Sequence, residues 1–142
     1  VTSIAAQAVS AALPEPDAWL AAAAHHDELF APLDRGVRIA LVARSAPARM
    51  LVWEVGGASV DARIEPFAGY AASAADIVLA ADDESLSDVR RAAAGRLFEV
   101  LRAGIRSGHV VCYMLKRRCV LEERGLDELL DALGFAFMGA CR

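Results

Sequence analysis

Asp76-Ile77-Val78-Leu79-Ala80-Ala81-Asp82-Asp83-Glu84-Ser85-Leu86 changes its period midway, and the fold follows from that change. The apolar run Ile77–Ala81 has strand length and ends at consecutive acids. Asp82 or Asp83 then supplies a carboxylate for the open amides of a helical first turn. Helical spacing resumes over about Glu84–Arg106, as two pieces hinged near Gly95, with Leu97, Leu101 and Ile105 on one stripe and Phe98 beside it. Ser107–Gly108 closes that region, and His109–Arg117 reads as a further strand. Leu126–Phe137 follows as a terminal helix, with Leu126, Leu129, Leu130, Leu133 and Phe137 on one face.

Upstream, three runs alternate with period two. Val37–Ala43 sets Val37, Ile39 and Leu41 against Arg38 and Arg44, and Ser45–Ala48 is a turn. Arg49–Val55 aligns Leu51, Trp53 and Val55. Gly56–Gly57 marks a hairpin, and Ala58–Glu65 opposes Val60, Ala62 and Ile64 to Asp61, Arg63 and Glu65. Alternation with charge on one side implies an antiparallel sheet with one wet face. Pro66–Ala75 is a loop. Before the strands, Glu15–Pro16–Asp17 is a helix start, and a helix runs from about Asp17 to Phe30, stopped by Pro32 and Gly36. Residues 1–12 form a short helix broken by Pro14 and Pro16. The expected fold is α+β, with a five-stranded, mainly antiparallel sheet covered on one face by helices. The 142 residues make one domain, with 1–14 as an N-terminal extension.

Composition narrows the function. The chain is 56% hydrophobic but only 6% aromatic, so its core must be mainly Leu, Val and Ile. The alanine runs Ala21–Ala24, Ala71–Ala72 with Ala74–Ala75, and Ala92–Ala94 raise hydropathy while burying little area. A domain of this length buries about 70% of its unfolded surface and needs no disulfide or metal staple. The net charge of −4 and the lack of a basic stripe with interleaved aromatics argue against nucleic acid. No run of about 20 apolar residues is present, so no transmembrane segment is expected. Val1–Leu13 lacks a positive flank and is only a weak signal-peptide candidate. The three cysteines, Cys112, Cys119 and Cys141, have neither disulfide-framework nor zinc spacing, which points to a reducing cytoplasm.

Catalytic constellations are scarce. His25–His26–Asp27–Glu28 is the one histidine–acid cluster, but adjacent helical residues point about 100° apart. It offers one ligand pair at most, and a solvated helix end accounts for it. His109 and Cys112 would face opposite ways on a strand, which suits a structural histidine better than a nucleophilic pair. There is no phosphate loop, no nucleophile elbow and no calcium-loop spacing. Arg90–Arg91 and Lys116–Arg117–Arg118 are short basic clusters that offer contacts to anionic lipid headgroups or a CoA-type phosphate, with a solvated face as the default reading. Large soft side chains are the remaining candidates: Trp53, Phe67, Tyr70, Leu97, Phe98, Leu101, Met114, Leu130, Phe135, Phe137 and Met138. They suit an apolar ligand pocket and equally an ordinary core.

The order of elements resembles the sterol carrier protein type 2 family. Ala75–Leu86 is similar to that family's ADVTLTLSDEDL-like segment, and Ala103–Val110 to its approach to the last strand. The likeness spans about Asp17 to Phe137. Two features depart from it: the lysine-rich character is missing, and Lys116–Arg117–Arg118–Cys119 stands where the family has Gly-Asp. The resemblance implies a lipid tunnel between sheet and helices, roofed by Leu126–Phe137, and no catalytic residues or cofactor. Trp53, Phe67, Tyr70, Leu97, Phe98, Leu101, Met114, Leu130 and Phe137 would line it. The expected partner is therefore a hydrophobic small molecule or lipid. Two rivals stand beside it. One is a small enzyme using Asp61, His109 or Glu54 for acid–base chemistry. The other is an interaction module that dimerises through the Leu126–Phe137 face.

Overall fold

The computed structural model describes residues 13–135. Five strands form one sheet in the order β3-β2-β1-β4-β5. They are β1 (Arg38–Ala43), β2 (Arg49–Val55), β3 (Val60–Pro66), β4 (Ile77–Ala81) and β5 (Val110–Met114). Three neighbouring pairs are antiparallel, while β1 and β4 run parallel, so the sheet is mixed. Register explains the two faces. Ile39 lies opposite both Trp53 and Ile77, and Leu41 opposite both Leu51 and Leu79. These six large side chains therefore share one face.

The helices gather on that face. They are α1 (Pro16–His25), α2 (Asp27–Phe30), α3 (Asp83–Arg91), α4 (Leu97–Ser107), α5 (Arg118–Glu123) and α6 (Asp127–Ala132), with a 3-10 turn at Ala94–Arg96 before α4. Trp19, Phe30, Leu86, Leu101, Leu121 and Leu129 bring α1 to α6 into one buried cluster with the strand residues. Pro16 sits in the first turn of α1, where its missing N–H costs nothing. Asp82 caps α3 by accepting the Ser85 amide at 2.9 Å.

The opposite face is not wet, contrary to what the alternation suggests. Ala40, Val42, Met50, Val52, Val78 and Ala80 are buried beneath Phe67, Ala75 and Tyr70 of the long loop and beneath Leu115. Charge on that face runs along the edge strand β3 and reaches the start of β1, where Arg38 contacts Glu54 and Glu65, and Arg63 contacts Glu54, Asp61 and Glu65. At the same end the buried Asp76 accepts the Arg38 amide at 2.9 Å and lies 3.1 Å from Nε of Arg124. This ties the start of β4 to the end of α5. Gly125 then turns the chain with φ +85°, and a Cβ there would overlap the Pro32 carbonyl.

Three elements differ from the sequence reading. The helix expected over Asp17–Phe30 breaks at His26, whose amide is shared between the Ala22 and Ala23 carbonyls. Lys116–Cys119 leads into α5, which has no counterpart in the reading. The terminal helix is described only as Asp127–Ala132; Phe137 and Met138, like the helix expected over 1–12 and Cys141, lie outside the described residues.

Candidate apolar ligand cleft

The residues expected to line a lipid tunnel are divided between the two faces of the sheet. Trp53, Leu97, Phe98, Leu101 and Leu130 are buried in the helix-side core, and Met114 packs against it. Phe67 and Tyr70 belong to the other face, where their rings meet edge to face at 5.1 Å. Phe137 lies outside the described residues.

The helix-side residues fill space. Trp53 stacks on Trp19 with ring centroids 3.8 Å apart, receives the edge of Phe30 at 5.0 Å, and lies parallel to Phe98 at 6.0 Å. Leu126, Leu129, Leu130 and Leu133 are at most 1% exposed and belong to the same cluster. The expected roof is thus a packed wall, and none of these four leucines lines any of the three clefts described next.

An apolar cleft of about 460 Å³ opens instead between the start of α1 and the α3–α4 junction. Leu13, Ala18, Trp19, Ala22, Val89 and Leu97 line it, with Ala21, Ala92 and Ala94 between them and Glu15 and Arg90 on the rim. Its cause is local. Ala92 and Ala93 are extended and lead the chain from α3 into the 3-10 turn. The alanines there face the alanines of α1. Two elements that meet through methyl groups leave side-chain volume unfilled, and interiors otherwise pack to crystal density. Among the predicted site residues that the structure describes, Leu97 alone lines this cleft. The alanine runs were the available signal, read as weak buriers and not as missing volume.

The two tryptophans differ in one respect. Trp53 Nε1 donates to the Trp19 carbonyl at 2.7 Å. Trp19 Nε1 is equally buried, and among the described residues it has no hydrogen-bond partner. An indole nitrogen is a donor only, and leaving one buried and unpaired costs about 1–3 kcal/mol.

Two other clefts are less apolar in character. One of about 410 Å³ lies between α1–α2 and the β2–β3 turn, and includes Asp27, Gly56, Gly57 and Ser59. One of about 500 Å³ holds Glu84, Asp88, Arg91, Ser107 and His109. At its edge His109 Nδ1 lies 2.5 Å from Asp82 Oδ2. The carboxylate raises the imidazole pKa, and Asp82 is itself held low by the Ser85 amide and then by His109. Glu54 and Asp61 do not join them. Glu54 lies opposite Arg38 at the start of β1, and Arg63 before Arg38 lowers its pKa. His109 precedes β5, whose first residue pairs with Ala81 at the far end of the sheet.

His26 packs its ring against Phe98 at 4.8 Å, and among the described residues no three His, Cys, Asp or Glu side chains come together as metal ligands. Burial pushes the Cys112 thiol up to about 12, which makes it a poor nucleophile. No described helix is long and apolar enough to cross a membrane. No protein-family model, curated protein or solved structure matches the chain.

Proposed function

We propose that this protein binds a hydrophobic small molecule, of lipid or comparable character, in the cleft between α1 and the α3–α4 junction, and holds it without chemistry of its own. The observation that carries the reading is the cleft itself: about 460 Å³, walled by Leu13, Trp19, Ala22, Val89 and Leu97, with its charged residues at the rim. Ligand sites are concave and mostly apolar in this way. Removing about 250 Å² of apolar surface from water contributes about 6 kcal/mol, which sets a scale of tens of micromolar.

The likeness to the sterol carrier protein type 2 family belongs to the same proposal. The acid-capped turn from β4 into α3 and the helices laid on one sheet face support it. The packed leucines of α6 favour a guest beside α1 over one beneath the last helix. The half-buried Cys112 carries a free thiol, which fits a reducing, cytoplasmic setting.

Displacement of a fluorescent fatty acid and a fluorescent sterol tests the reading. Binding of either probe, lost in Ala18→Trp, supports it; Ala18 is exposed at the mouth, so the larger ring blocks entry without entering the core. If neither probe binds at tens of micromolar, the reading fails. Native mass spectrometry separates the rivals: a ligand-free dimer favours the interaction module. The Asp82–His109 pair favours acid–base chemistry as a second reading, because an oriented imidazole is the usual form of a general base. An activity of the purified protein abolished in His109→Ala would select it.

A further inference from the structure

β5 is an edge strand, with β4 on one side and, among the described residues, no strand on the other. Its hydrogen-bond phase decides which groups face outward. The Leu115 amide donates to the Asp76 carbonyl, and the Asp82 amide to the His109 carbonyl, so the odd-numbered residues of 109–115 turn their backbone groups toward β4. Cys112 and Met114 therefore turn theirs away, and among the described residues neither has a backbone partner. Val110 is 2% exposed, but Tyr113, between these two residues, is 40% exposed. The two edges of the sheet are unlike. β3 carries Asp61, Arg63, Glu65 and Pro66, and charge or proline on an edge discourages pairing. β5 reads Val-Val-Cys-Tyr-Met, with neither. Its charge stands at the two ends. Exposed Asp83 and Glu84 follow Asp82, which holds His109 at the entrance, and exposed Lys116 and Arg117 follow the exit.

We propose that the edge of β5 binds a second copy of this chain, strand to strand and antiparallel, joining the two sheets across a two-fold axis at Tyr113. In that register Cys112 exchanges backbone hydrogen bonds with the partner's Met114, and Met114 with the partner's Cys112. Tyr113 meets the partner's Tyr113 as a non-bonded pair, where side chains lie closest. Charge selects this occupant and its direction. An antiparallel copy brings Lys116 and Arg117 to the end that holds the partner's Asp83 and Glu84, whereas a parallel copy would set like charges together. No β5 residue lines the cleft beside α1, so pairing and ligand binding are independent.

Sedimentation velocity of the full chain across a dilution series tests this. The wild type should reach the mass of two chains, and added NaCl should weaken the dimer. Tyr113→Lys sets like charges across the axis and should raise the dissociation constant about tenfold or more. Its urea midpoint should stay in place, because the replaced side chain is exposed. Mild oxidation of Tyr113→Cys should join two chains through residue 113, identified by peptide mass mapping. The Cα atoms of a non-bonded antiparallel pair lie about 4.5 Å apart, which a disulfide can span. A chain that stays monomeric at every concentration overturns the proposal and leaves the β5 edge to some other occupant. So does a dimer that Tyr113→Lys leaves intact, or one that yields no 113–113 bond, as a dimer built on the α6 face would. Fatty-acid and sterol displacement should be unchanged in both variants, so loss of the dimer leaves the ligand reading standing.

Discussion

Asp82 uses its two carboxylate oxygens on two different elements: Oδ1 accepts the Ser85 amide at 2.9 Å, and Oδ2 lies 2.5 Å from Nδ1 of His109. One side chain thus starts α3 and fastens it to the entrance of β5. The Asp82 amide completes the loop by donating to the His109 carbonyl at 3.0 Å. The clasp holds together the strand, helix and strand that decide the topology.

This clasp makes stability depend on pH in a definite direction. The His109 pKa is raised from 6.5 by Asp82, so its contribution is complete below 6.5 and is lost as pH climbs through the raised value. The Asp82 pKa is lowered from 3.8, so its contribution is present above 3.8 and is lost as pH falls through the lowered value. The pair therefore supports the fold most between about pH 4 and 6.5. We expect His109→Gln to lose more stability relative to wild type at pH 5.5 than at pH 9 in urea unfolding. An identical loss at both pH values would mean that the pair is not charged in the folded protein.

The second expectation concerns the other end of β4. Asp76 is buried and serves both the Arg38 amide and the Arg124 guanidinium. Removing one member of such a pair leaves the other without its partner, at a cost of about 2–4 kcal/mol once the partial exposure of Arg124 is discounted. Asp76→Ala should lose that much in chemical denaturation. Asp76→Asn should lose less, because an amide oxygen can still accept from Arg38. A larger loss in Asp76→Asn than in Asp76→Ala would contradict this account.

How far the sequence foretold these features depends on the kind of signal. Arg49–Val55, marked by period two, and Ile77–Ala81, marked as an apolar run of strand length, are strands over those residues, because each sets large apolar side chains on the core face. The break between α3 and α4 near Gly95 was also legible, since the apolar stripe restarts at Leu97. Periodicity reports faces and not neighbours, so the parallel seating of β4 against β1 left no trace in either run. The burial of the second face depended on Phe67 and Tyr70, placed by a loop with no period at all. Helix α5 was missed because Leu121 is its one fully buried side chain, too few for a stripe. The cleft was hardest to see, since it arises where Ala18 and Ala22 meet Ala92 and Ala94, far along the chain, and consists of volume that is absent.

Gly125 offers a third test. Its φ of +85° and the nearby Pro32 carbonyl leave no room for a Cβ, and the turn it makes joins α5 to α6. We expect Gly125→Ala to destabilise by about 2–4 kcal/mol, combining strained backbone with overlap. Gly57 is the control: a Cβ there would meet nothing within 4 Å, and its φ lies outside the left-handed region. Gly57→Ala should change stability by less than about 0.5 kcal/mol in the same thermal or urea measurement.

The packing of α6 distinguishes a wall from a lid. Leu130 is 0% exposed and shares a buried cluster with Trp53, Phe98 and Leu101. A lid residue covers a guest, so trimming it changes affinity and leaves the empty protein nearly as stable as before. A wall residue fills space in every state, so trimming it opens a void, and buried Leu→Ala changes cost about 2–5 kcal/mol. Leu130→Ala should therefore lower the urea midpoint markedly while leaving fatty-acid or sterol displacement unchanged under conditions where the variant is folded. Val89→Ala, which widens the cleft beside α1, should show the converse balance: a smaller stability loss and a measurable change in probe affinity. A Leu130→Ala protein of near wild-type stability with altered affinity would return the ligand to the space beneath the last helix.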